Sequence, residues 1–218
     1  MDTLKLLKDR HSVRKYLSKP IEEEKRNVLN NLIEEINNKT NLHIQAFYDE
    51  PKCFGSAIAT YGKFKNVDSY ICLVGKKSKT LDEELGYYGE EIAIKAQELG
   101  LNTCFVALTH GKTKSVVNKG EKEVCIIAVG YGETQGVAHK SKLITDVSNY
   151  TDDKPDWFKE CVEYALLAPT AMNQQKFFIE YKSDDDVVFS SSLGFYAKMD
   201  LGIVKFNYET AKKLLKKD

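Results

Sequence analysis

Two stretches of the sequence combine residue types that could hold an anion or read the edge of a planar heterocycle. The first is Arg10-His11-Ser12-Val13-Arg14. Two guanidinium groups and a hydroxyl this close together can grip a phosphate through charge-assisted, forked hydrogen bonds. In an extended segment residues 10, 12 and 14 point the same way, so all three could meet one ligand. Basic residues after a helix also complement its dipole, and that plainer role is open to the same side chains. The second stretch is Ala168-Pro169-Thr170-Ala171-Met172-Asn173-Gln174-Gln175. Proline stops the preceding helix, and small residues let the backbone approach anything lying against it. Asn173 and Gln175 supply amide donors and acceptors suited to a polar ring edge. A capping loop between helix and strand would have a similar composition. Upstream, His139-Lys140-Ser141-Lys142 puts Lys140 and Lys142 on one side of a short extended piece, where ordinary surface charge is the alternative.

Other chemistries find no support. Gly130-Tyr131-Gly132-Glu133-Thr134-Gln135-Gly136 looks like a dinucleotide fingerprint, but Gln135 stands where the third glycine belongs and no periodic helix follows. A flexible loop after a strand is expected there. The sequence has no GxSxG elbow, Walker loop or spaced carboxylate pair. Its five cysteines and four histidines are dispersed, without CxxC or HExxH spacing, so no metal site is expected. Buried thiols in a reducing compartment follow for Cys72, Cys104 and Cys125, which sit in apolar runs.

The elements that must position these stretches can be outlined from pattern. Asp2 or Thr3 caps a short helix with Leu4, Leu6 and Leu7, ending near Asp9, and an extended or turn segment follows. Ser18, Pro20 and three glutamates predict a helix start, with Leu29, Leu32, Ile33 and Ile36 on its apolar face. Strands are predicted at 44–48, 70–74, 103–108, 124–129 and 177–181. A long helix carries Leu85, Tyr88, Ile92, Ala96 and Leu99 and stops at Gly100. Residues 130–151 read as a long polar connection. Helices follow at 155–167 and at the C-terminus, where Leu201, Val204, Tyr208, Ala211 and Leu215 share a face and Lys212, Lys213, Lys216 and Lys217 suit the negative dipole end. Helix, polar break and strand occur twice, at 22–48 and 156–181, and each is followed by a long helix opening near a glycine.

Composition bounds the rest. At 218 residues with 42% hydrophobic and 11% aromatic content, the chain can bury a substantial core. Lysine plus arginine and aspartate plus glutamate number 32 each, so no basic excess points to nucleic acid; Lys76, Lys77 and Lys79 read as a solvated turn. No apolar run can span a bilayer, and the N-terminus alternates charge with leucine, so no membrane association and a cytoplasmic address are expected.

Taken together, four blocks resemble the nitroreductase family. Arg10-His11-Ser12-Val13-Arg14 with Pro20-Ile21 resembles its RRSIR…PI opening, and residues 168–175 resemble its APSAMNxQPW segment. Tyr88-Gly89-Glu90 through Leu99-Gly100-Leu101-Asn102-Thr103-Cys104-Phe105 resembles a central helix ending in GLGTCW, with Phe105 where many relatives have Trp. Val129-Gly130-Tyr131 with Lys140-Ser141-Lys142 resembles a late GY…KSR piece. The resemblance implies an α+β fold, a mainly antiparallel sheet packed by helices with two pseudo-twofold-related halves, about 1–120 and 150–218, joined by a polar segment. It also implies FMN as cofactor and electron transfer from NAD(P)H to a small acceptor such as a nitroaromatic or quinone. The implied flavin contacts are Arg10, Ser12, Lys140 and Lys142 at phosphate and ribityl, Arg14 at the pyrimidine edge, and His11 within the same binding block. Pro169, Thr170, Ala171, Asn173 and Gln175, with Val106 and Ala107, would lie against the ring.

Two departures shape that expectation. In the usual relatives the AP(S/T)AMN block comes soon after the first helices, but Asn38-Lys39-Thr40-Asn41 stands there. The second half has Asp152-Asp153-Lys154-Pro155 where an arginine–serine–arginine opening would fall. The chain resembles the subfamily in which one polypeptide imitates the usual dimer, with one flavin site per chain, as a monomer or weak homodimer. The alternatives are a flavin-binding carrier or sensor without turnover, and an α+β interaction module without a cofactor.

Overall fold

The most buried strands are apolar along nearly their whole length, as expected where both faces of a sheet are covered. In the computed structural model, which describes residues 2–216, they are β2 (Tyr70–Lys76) and β4 (Glu121–Gly130). They lie at the centre of a four-stranded sheet of order β1-β2-β4-β3, with β1 at Gln45–Phe47 and β3 at Asn102–Val106. Every pairing in it is antiparallel, with Tyr70 opposite Ala128 and Cys104 opposite the same residue from the other side. Val13, Tyr16, Phe54, Val67, Cys72 and Val106 pack with these strands into one apolar cluster. All five cysteines are buried free thiols. Burial pushes the Cys53 thiol up to about 12.

The chain divides into two compact, interleaved units. One contains the described residues of Met1–Lys8, Asp82–Glu90 and Ala138–Asp218; the other is Asp9–Leu81 with Glu91–Val137 and holds the four-stranded sheet. The first unit is built from α6 (Asp156–Ala165), a hairpin of β5 (Phe177–Ser183) with β6 (Asp186–Ser191), and α7 (Ala197–Leu215). Tyr208 of α7 packs edge-on against Phe158 and Phe189, ring centroids 6.3 and 5.0 Å away. A short helix α5 (Ile144–Val147) precedes this unit's core elements.

The remaining helices are α1 (Thr3–Asp9), α2 (Glu23–Lys39), α3 (Ala57–Tyr61) and α4 (Leu81–Glu98). Asp2 caps α1, its carboxylate accepting from Leu4 N–H at 3.0 Å. The helix α2 begins later than predicted. Its first residue is Glu23 and Glu22 is the cap, so Ser18 and Pro20 lie in the lead-in; the dipole-facing carboxylates, Glu23 and Glu24, mark the true start. Gly100 ends α4 at φ +75°, where Leu101 N–H reaches Ala96 O and Gly100 N–H reaches Gln97 O, a Schellman stop. The short α3 and α5 and the strand β6 were not foreseen. Lys217, counted among the terminal lysines, lies outside the described residues. No helix among the described residues is long and apolar enough to cross a membrane.

Within the first unit, glycines let the opening of α4 touch α7. A Cβ at Gly86 would sit 2.0 Å from Met199 O, and one at Gly202 would sit 1.9 Å from Glu83 O. Each glycine follows its helix's first residue, Leu81 or Ala197, by the same number of positions. An ion pair from Lys205 to Glu83 closes the contact. Gly202→Ala is therefore expected to lower unfolding free energy by about 2–3 kcal/mol through overpacking. Gly100→Ala, with nothing within 4 Å, should cost only its left-handed backbone, about 1–2 kcal/mol. Urea denaturation reads both; a Gly202→Ala variant as stable as the wild type would show that the close helix contact does not exist.

Candidate functional site

In the sheet-bearing unit the chain leaves α1 at Arg10 and runs extended to Tyr16. Ser12 bridges Thr103 of β3, Val13 N–H bonds to Thr103 O at 3.0 Å, Lys15 bridges Lys65, and Tyr16 bridges Gly132. Val13 and Tyr16 point inward and are buried; the Tyr16 hydroxyl donates to Val13 O at 2.7 Å. Between these two buried anchors Arg14 and Lys15 are exposed, and Ser12 before them is half-buried. Arg10 does not share that exposure. It is 3% exposed, because it sits at the helix exit before the first bridge. His11 is half-buried.

The loop after β4 lies over this segment. Asn102 clamps it, its Oδ1 accepting from Gly132 N–H at 2.9 Å and its Nδ2 donating to Gln135 Oε1 at 3.0 Å. Gly136, at φ +76°, passes so near His11 that an added Cβ would come within 2.7 Å of His11 Cβ. A loop, and no helix, follows β4, as the missing third glycine predicts. Between loop and segment is a cavity of about 220 Å³ lined by Ser12, Arg14, Lys15, Lys63, Glu133 and Thr134, among others. Val106 ends β3 buried, and Ala107 follows half-buried.

In the other unit, α6 ends and residues 168–175 turn back toward β5. Ala168 is buried, Pro169, Thr170 and Ala171 are half-buried, and Met172 and Asn173 are exposed. Met172, Asn173 and Gln175 have φ of 51°, 53° and 45°. Asparagine tolerates this region, but Met172 and Gln175 each carry strain of about 1–2 kcal/mol. Hydrogen bonds hold the turn. Asp200, in the first turn of α7, accepts from Ala171 N–H at 2.9 Å and from Gln174 Nε2 at 2.7 Å. Thr170 Oγ1 accepts from Gln175 N–H at 3.1 Å.

Gln175 joins this turn to residues 140–142. Its Oε1 accepts from Lys142 N–H at 2.8 Å, and its Nε2 donates to Lys140 O at 2.9 Å and to Asn173 Oδ1 at 2.8 Å. Asn173 Nδ2 also reaches Lys140 O, at 2.8 Å, and Lys142 Nζ donates to Gln175 O at 2.9 Å. Two segments singled out separately by sequence thus form one assembly. Their amides, however, are spent within it. Gln175, 2% exposed, positions its neighbours, and the exposed Lys140 ammonium carries the charge the piece presents to solvent.

Asp200 escaped the sequence reading, where it was only part of a helix start. A carboxylate one turn into the last helix was the available signal. Burial pushes its carboxyl up to about 6, against the opposing pull of the Ala171 N–H and the Gln174 amide. Lys63 escaped as well, since nothing in its neighbourhood marks it before the fold brings it to the cavity. Among the described residues no cluster of histidine, cysteine or carboxylate side chains could hold a metal ion.

Comparison with known proteins bears on the family and the fold. The family described as "Putative TM nitroreductase" matches residues 2–212. A structure from Thermotoga maritima described as "a putative nitroreductase" has a TM-score of 0.71 at 22% identity, covering 100% of this chain and 87% of that one. One from Desulfovibrio desulfuricans, described as "a putative nitroreductase in complex with fmn", has a TM-score of 0.54 at 14% identity, covering 71% of this chain and 98% of that one. A "Putative NADH Oxidase" from Clostridium acetobutylicum has a TM-score of 0.51 at 17% identity, covering 69% and 99%. No curated protein matches in sequence. The shared α+β fold, and a family match running nearly the length of the chain, make this protein a member of that nitroreductase family.

Proposed function

We propose that this chain binds FMN and uses it to pass electrons from NAD(P)H to a small acceptor such as a nitroaromatic or quinone. The observation that carries the reading is the strained turn at residues 170–175, stitched to residues 140–142 and held by Asp200. Non-glycine residues kept at positive φ by a surrounding network concentrate where a ligand must be met. The relative from Desulfovibrio desulfuricans, described in complex with FMN, supports the choice of cofactor.

The residues present fit a phosphate-bearing planar group. Arg14 and Lys140 are exposed cations without an ion pair among the described residues, and Ser12 offers a hydroxyl. In this reading the candidate phosphate and ribityl contacts are Arg10, His11 and Ser12 of the one segment and Lys140 and Lys142 of the other. Arg14 supplies positive charge toward the heterocycle. Pro169, Thr170, Ala171 and Asn173 present backbone and a short side chain to the ring, Val106 and Ala107 contribute backbone, and Gln175 keeps the turn in place. FMN would supply the two-electron redox chemistry. The protein's part is orientation and charge, which agrees with the lack of any nucleophile or base motif. Because each set of residues is present once, one FMN per chain is expected.

The purified protein is expected to be yellow and to release FMN on denaturation. Lys140→Ala should weaken FMN roughly tenfold, the worth of a charge-assisted contact, and leave riboflavin nearly unaffected. Arg10→Ala is a poorer probe, since removing a buried side chain also leaves a void. Equal losses for both ligands would remove the phosphate assignment. A colourless protein that binds no added FMN would sink the reading, and a yellow protein that oxidises no donor would make it a carrier.

Asp200 gives a pH test of the cradle. Its folded value, about 6, lies above the ordinary 3.8, so the folded state binds this proton more tightly. That stability is complete below the ordinary value and is lost as pH rises through about 6. Between pH 4 and 7 the wild type should lose up to about 3 kcal/mol relative to Asp200→Asn, read by urea denaturation at both pH values. Parallel curves for the two proteins would show that Asp200 is not held in this environment.

A further inference from the structure

The cavity of about 220 Å³ in the sheet-bearing unit has a charge pattern that the flavin contacts alone do not account for. Three cations line it: Arg14, Lys15 and Lys63. None makes an ion pair among the described residues. The carboxylate on the same wall, Glu133, is engaged by Lys65 Nζ at 2.9 Å, and Lys65 is not a lining residue. Ser12 and Thr134 add hydroxyls. The cavity therefore holds surplus positive charge, which repels itself unless an anion enters.

The backbone builds this arrangement. Lys63 has φ +62° and its N–H bonds to Thr60 O at 2.9 Å. The preceding Gly62 lets the turn close on Thr109, where an added Cβ would come within 2.6 Å of the threonine side chain. Lys15 is fixed by its bridge to Lys65. A volume of this size takes a carboxylate or phosphate on a small frame, and is too small for a whole dinucleotide.

We infer that this cavity is an anion subsite receiving a carboxylate or phosphate of a substrate. The inference rests on the FMN-dependent reading above, because Ser12 and Arg14 belong to both. Lys15 and Lys63 belong to neither the resembled motif nor the flavin assignments, so they are the probes.

The test is the double variant Lys15→Gln/Lys63→Gln in the full chain. The ratio of kcat/KM for 4-nitrobenzoate over the neutral 4-nitrobenzamide should fall roughly tenfold, or the preference for NADPH over NADH should fall by a similar factor. The first result assigns the anion to the acceptor and the second to the donor. Without turnover, calorimetric titration of the same proteins with benzoate and benzamide should show benzoate affinity reduced in the variant and benzamide affinity equal in both. The inference is overturned if both ratios and benzoate affinity are unchanged. It is also overturned if the variant loses FMN affinity relative to riboflavin, because the cavity would then serve the cofactor's phosphate. A protein that binds no flavin refutes the proposed function instead, and the benzoate titration still decides the cavity.

Discussion

A left-handed turn at Met172, Asn173 and Gln175 cannot hold itself, because none of the three residues is glycine. It persists through two anchors from distant parts of the chain. Asp200 takes the Ala171 N–H and the Gln174 amide, and Gln175 ties the turn to the backbone at residues 140 and 142. A buried glutamine satisfied at both ends gains strength from the low local dielectric, and breaking one end would leave a buried polar atom unmatched. The exposure of Met172 and Asn173 above this network follows from it, since the side chains beneath fix the backbone.

The other unit solves a related problem with two buried anchors. Arg14 faces solvent because Val13 and Tyr16 are committed to the core, and bridges to Thr103, Lys65 and Gly132 prevent the segment from slipping by one residue. Tyr16 is wholly buried with its hydroxyl satisfied by Val13 O, which makes its contribution one of packing. Asn102 sits at the start of β3 and holds the loop after β4, so the strand that pairs with Ser12 also positions the loop opposite it.

Much of this was legible in the sequence, for reasons that can be named. The strands β2 and β4 announced themselves as apolar runs, α4 by its stripe and Gly100 stop, and α7 by its one apolar face. The two motif segments drew notice through their resemblance to the family's blocks, since each alone also admits a plainer structural role. What stayed hidden depends on long-range contact. The late start of α2 arose because Ser18 and Pro20 mimic a cap, whereas the backbone turns helical only at Glu23. The strand β6 was masked by Asp184, Asp185 and Asp186, although Val187, Val188 and Phe189 carry a β-forming run. The exposure of Arg10 was misjudged because alternation was assumed from the helix exit onward. Asp200 and Lys63 acquire their roles only from neighbours distant in sequence.

Several of the places where this sequence breaks local rules lie in the candidate segments, although Asp49, Asn66 and Tyr196 also take positive φ outside them. A methionine and a glutamine at positive φ cost conformational energy, a carboxyl pushed up to about 6 costs desolvation, and three cations around one cavity without an ion pair cost repulsion. Elsewhere apolar strands lie inside, a glycine sits at the Schellman stop, and carboxylates open α2. A sequence shaped for folding alone would relieve such costs by ordinary substitutions, glycine at 172 or a glutamate beside Lys63. Met172, Gln175, Asp200 and Lys63 are therefore the positions where folding stability and the proposed binding role pull in different directions.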